Sequence, residues 1–110
     1  MHVKYSYVEW IQNNVITIYC CDRKKINMLK SINARRKLFS CKYWIVRYKG
    51  DEELAGILNA LRNECFLFGY DEHGWCPSGI FQLLREKGMV HGEFTEIFWR
   101  GPNKLGTRKM

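Results

Sequence analysis

Residues 41–70 dictate most of the architecture. Residues 41–48 read CKYWIVRY, which puts Trp44 and Val46 on one side of an extended chain and Tyr43, Ile45 and Arg47 on the other. That period of two is the mark of a strand. Gly50 breaks it, and Asp51 can cap a helix whose first turn holds Glu52 and Glu53, where the helix dipole favours acids. Leu54, Ile57, Leu58 and Leu61 then recur at i, i+3, i+4 and i+7. A helix with one apolar stripe must bury that stripe against another layer. Residues 65–70, CFLFGY, supply a further short apolar strand. Strand, amphipathic helix and strand in succession predict helices laid on a sheet.

The flanking sequence extends the pattern. Residues 2–10 alternate with strand-favouring types, Gln12, Asn13 and Asn14 form a turn, and residues 15–21, VITIYCC, make a second strand. Asp22 can cap a helix from Arg23 in which Ile26, Met28, Leu29 and Ile32 form a partial stripe. Three bases in its first turn oppose the dipole, so it should fray before Arg35. Ser78 can cap a third helix over residues 79–87, built on Ile80, Phe81, Leu83 and Leu84 and stopped by Gly88. Residues 93–100 alternate as a last strand, and Gly101, Pro102 and Asn103 turn the chain outward. The expected fold is a single α+β domain over residues 1–103, in the order β-β-α-β-α-β-α-β. Its sheet is mixed or antiparallel, with helices mainly on one face. Residues 104–110 are expected to be a basic, flexible tail. A hydrophobic content of 46% excludes a disordered chain.

Charge is distributed unevenly. Residues 23–49 hold ten Lys or Arg and no acid, whereas residues 51–72 hold six acids and one base, Arg62. With a net charge of +7, the chain favours an acidic partner. Lys24, Lys25, Lys30, Arg35, Arg36 and Lys37 can meet phosphates, and Arg47 and Lys49 extend the path along the strand. Tyr43 shares a face with Arg47 and Lys49 and is the better stacking candidate of the block's aromatics. These nine residues are the candidate nucleic-acid-binding set, with RNA or single-stranded DNA preferred over duplex because aromatics accompany the bases. A solvated basic face is the plain alternative. A second reading uses the same block, with exposed Trp10, Trp75 and Trp99, to dock a non-catalytic inhibitor or adaptor on an acidic protein.

Signals for chemistry are weaker. Cys65, His73, Cys76 and His91 are zinc-type ligands, but their spacing lacks a close-set pair. Asp71, Glu72 and His73 are raw material for acid–base work, and Cys76 near a helix start can be activated as a thiolate. Buried thiols and an acidic solvated loop tip account for all of these without chemistry. Phosphate-cradling and hydrolase motifs are absent, so no catalytic residue, metal or cofactor is expected. A small nuclease or metal-dependent enzyme is the third reading. Residues 78–100, a helix followed by Gly88 and a strand running into a turn, resemble the recognition helix and wing of winged-helix DNA-binding domains. That resemblance implies a groove-facing role for Gln82, Arg85 and Lys87, whereas a core helix packed on a sheet accounts for the same residues. The lack of a secretory signal or apolar span, together with five cysteines, suggests reduced thiols in a cytoplasmic or nuclear protein that is neither secreted nor membrane-bound.

Overall fold

The hairpin that opens the fold is set by two asparagines. Asn13 and Asn14 have φ of 55° and 61°, the paired left-handed conformation of a two-residue turn whose twist matches the strands it joins. They connect β1 (Tyr7–Gln12) to β2 (Val15–Tyr19). The computed structural model describes residues 5–71, 76–102 and 104–110. The expected strand segment at residues 2–4 and the Glu72, His73 and Trp75 calls lie outside the described residues.

A 3-10 turn (Arg23–Lys25) leads into α1 (Ile26–Ser31). Asp22 accepts from the Lys24 N–H at 2.9 Å, the cap expected of it. The α-helix proper nevertheless begins only after the three bases, because the first turn has no acid to offset them. The two-residue strand β3 (Arg35–Arg36) follows, and then β4 (Tyr43–Arg47). Next come α2 (Gly50–Asn63), β5 (Leu67–Gly69), α3 (Pro77–Glu86), β6 (Thr95–Gly101) and β7 (Lys104–Lys109). Two cap assignments shift. Lys49 occupies the N-cap of α2 without a side-chain bond, so Asp51 acts as a first-turn acid. The Cys76 thiol caps α3 by accepting from the Gly79 N–H at 3.3 Å, with Pro77 at the start of the helix.

The strands form one mixed sheet in the order β3-β4-β2-β1-β5-β6-β7. β1, β5 and β6 are parallel neighbours, and the other pairs are antiparallel. Register fixes the two faces. Val8 pairs with Ile18, which pairs with Trp44, and Ile11 pairs with Ile16, which pairs with Val46. These side chains form a single core with Leu29 of α1, Leu54, Leu58 and Leu61 of α2, and Phe81 and Leu84 of α3. Helices therefore cover one face. Phe68, Phe81 and Phe94 meet at its centre with ring centroids 4.5–5.7 Å apart.

Two readings of the C-terminal third are corrected. First, α3 is a crossover helix between parallel β5 and β6, with Phe81 and Leu84 buried. It is not a winged-helix recognition helix. Arg85 donates to the Gly92 and Met110 carbonyls, and Lys87 pairs with Asp51 at 3.5 Å. Second, residues 104–109 are not a loose tail but β7, paired along its length with β6. The cause is a buried acid. Glu96 is 1% exposed, and a buried carboxylate needs partners. It accepts from the Ser78 hydroxyl at 2.6 Å and from Arg108 Nε at 2.7 Å, with Arg108 Nη2 also in contact. Arg108 lies over the Phe98 and Tyr70 rings, with centroids at 5.4 and 6.0 Å.

Arg108→Leu should leave Glu96 buried without its cation. We expect a stability loss of about 2–3 kcal/mol in urea unfolding, below the ~3–5 kcal/mol of a fully buried pair because the guanidinium is half exposed. Adding Glu96→Gln should restore part of the loss. An unchanged midpoint for Arg108→Leu would show that β7 is held without this pair.

Candidate nucleic-acid interface

The helices pack on one face; on the opposite face Tyr7 and Tyr43 are half-buried, and Tyr19 and Ile97 are buried. That open face carries an aromatic row. Tyr7 pairs with Tyr19, and Tyr19 with Tyr43, across three adjacent strands. Their rings lie 5.4 and 5.3 Å apart. Cross-strand neighbours on one face hold such rows in place. A bulge in β1, where the register slips between Val8 and Trp10, turns Glu9 and Trp10 to the same side. Trp10 is 43% exposed and Trp99, on β6, is 58% exposed. The Trp10 indole N–H donates to Gln12 Oε1 at 2.5 Å, which fixes the ring edge.

Bases gather at the β3 side of this face. Arg35 pairs with Ile45 in the register, and Lys30, Asn33, Arg35, Ile45 and Arg47 line a groove of about 600 Å³. The Lys37 ammonium lies 6.0 Å from the Tyr43 ring centroid. Of the nine residues expected from sequence, the fold thus brings together Lys30, Arg35, Lys37, Tyr43 and Arg47. Lys49 adjoins Arg47 in a smaller groove at the strand's far end. Arg36 points the other way, as a strand neighbour of Arg35 must, and stacks 5.3 Å from Trp44. Lys24 sits on the 3-10 turn, and Lys25 lies 4.9 Å from the Phe66 ring, away from the open face.

Beyond the tyrosine row the face deepens into a cleft of about 390 Å³. Gly69 and Ile97 form part of its lining, with Glu9, Trp10 and Trp99 around them. A side chain at position 69 would begin 3.0 Å from the Val8 carbonyl, so the glycine lets β5 lie close against the β1 backbone at the edge of the hollow. Glu9 is hydrogen-bonded to the Tyr43 phenol, while its Oε2 is buried and has no hydrogen-bond partner among the described residues. Tyr7, Tyr19, Glu9 and Trp99 were not singled out for this face. The positions of Tyr7 and Tyr19, each next to a core residue, are a usable signal, but the bulge that turns Glu9 has no sequence signature.

The phenols record this setting. Burial, reinforced by the Glu9 charge and by Tyr43 and Tyr19, pushes Tyr7 from 10.0 up to about 12. Burial and then Glu9 raise Tyr43 as well. Among the described residues no three of His, Cys, Asp or Glu gather as a metal site, and all five thiols are free. Among those residues, too, no helix is long and apolar enough to cross a membrane. The sequence matches no family model, and no curated protein or solved structure shows significant similarity to it.

A raised phenol favours the native state while it stays protonated. The Tyr7 contribution should be complete below about pH 10, where the unfolded phenol ionises, and should be lost as pH rises through about 12. Tyr7→Phe should therefore make the alkaline fall in stability shallower, measured by denaturant melts at stepped pH. An identical slope in the variant would contradict this environment.

Proposed function

We propose that the chain binds single-stranded nucleic acid, RNA or single-stranded DNA, across the open sheet face, and acts by binding alone. The observation that carries this reading is the adjacency of the tyrosine row to the Lys30, Arg35 and Arg47 groove. Stacking on an aromatic contributes about 1–3 kcal/mol per base and tolerates any sequence. Bases in a duplex hide their faces in the stack, so accessible aromatic rings favour unpaired strands. Lys30, Arg35, Lys37 and Arg47 supply phosphate contacts beside it. Four such contacts on a single strand correspond to a salt slope of about −3.

Fluorescence anisotropy with labelled single strands and duplexes across a salt series tests this. Arg35→Glu with Arg47→Glu should weaken single-strand binding and flatten the slope by about 1.4. Tyr43→Ala should cost about 1–3 kcal/mol. Reversing Lys24 and Lys25, which sit off the face, should do less. Unchanged affinity in the Arg35 and Arg47 double variant would end the proposal.

A specific observation favours the adaptor reading as the alternative. In the loop between β3 and β4, Leu38 is 79% and Phe39 99% exposed, flanked by Lys37 and Lys42. An exposed aromatic among bases is a strong anchor for an acidic protein surface. On that reading Phe39→Ser loses a partner in pull-downs that Tyr43→Ala retains, and neither protein binds a strand. Retention of the partner by Phe39→Ser would remove it.

A further inference from the structure

The cleft beside the tyrosine row holds an acceptor with nothing to accept. Glu9 takes a hydrogen bond from the Tyr43 phenol, but its Oε2 is buried without a partner among the described residues, and leaving an acceptor unmade in this way costs free energy. Its carboxylate lines the cleft together with Asp71 among aromatic and apolar residues, where it works against a polyanion. A carboxylate retained there has a use if something in the ligand donates to it. We propose that this cleft takes one nucleobase and that Glu9 selects guanine, an inference that rests on the single-strand reading above.

The chemistry follows from the edges of the bases. Guanine presents two donors side by side, the ring N1–H and the exocyclic amine, which match the two oxygens of a carboxylate. Adenine and cytosine each place a ring acceptor next to their amine, so a carboxylate meets a lone pair there. Uracil offers one donor between two carbonyls. The hollow of about 390 Å³ admits a planar base. Gly69 forms part of its lining, and Trp10 and Trp99 are exposed beside it for stacking. Reaching Oε2 takes a rotation of the Glu9 side chain into the cleft it already lines.

The test uses the full chain and three labelled oligouridine strands that differ at one central position: uracil, guanine or inosine. Inosine lacks only the exocyclic amine. The guanine strand should bind about tenfold tighter than the uracil strand, in the range of one good base-edge pair. Inosine should fall between them. Glu9→Gln is nearly isosteric, and its folding is checked by thermal melting. It should bring the guanine-to-uracil ratio to about one, and that ratio is the readout. Wild-type binding with no guanine preference, or a preference that survives Glu9→Gln, overturns this inference and leaves the open-face reading intact. No binding to any of the three strands overturns both.

Discussion

Packing all three helices on one side of the sheet constrains everything else. Once Val8, Ile16, Ile18, Trp44, Val46 and Phe68 are committed to the core, alternation sends their strand neighbours to the opposite side. The tyrosine row is the direct result: Tyr7, Tyr19 and Tyr43 each precede or follow a core residue and fall in register. A slip of one residue in the β1–β2 hairpin would exchange the tyrosines and the core residues across the sheet, so the Asn13–Asn14 turn guards both. The surface available to a ligand is thus a product of core packing.

The far side of the sheet depends on one buried acid. Glu96 faces the helices between Ser78 and Arg108, joining the first turn of α3 to the outermost strand. A buried, paired carboxylate adds little net stability over an apolar group, but it is intolerant of losing its partner. It therefore specifies where β7 sits. β7 in turn places Leu105 beside Trp99 in the register, at the margin of the cleft.

Much of this was legible in the sequence. The 41–48 alternation correctly placed Trp44 and Val46 opposite Tyr43, Ile45 and Arg47, and the 54–61 stripe correctly placed α2 on the sheet. A mixed α+β architecture with one-sided helices followed from these. Other features depend on tertiary partners that local patterns do not carry. KLGTRK has no apolar alternation and reads as a tail, because its strand is held by Glu96 from another element. Cys76 rather than Ser78 caps α3, because the helix begins at Pro77 and leaves Ser78 inside its first turn, where it donates to that same carboxylate. The basic block was correctly located as a charge run, yet adjacent Arg35 and Arg36 diverge to opposite faces, so a one-dimensional run is not a single surface. Glu9 stayed invisible because a bulge, not a pattern, turns it outward.

The most direct test of the account is where a strand touches the protein. Amide chemical shifts of isotope-labelled protein, followed during titration with a short unlabelled oligonucleotide, report this residue by residue. The account predicts the largest changes along β1, β2 and β4 at Tyr7, Glu9, Tyr19, Tyr43 and Arg47, with α2 and α3 nearly silent. Changes centred on the helices, or none at saturating strand, would contradict it.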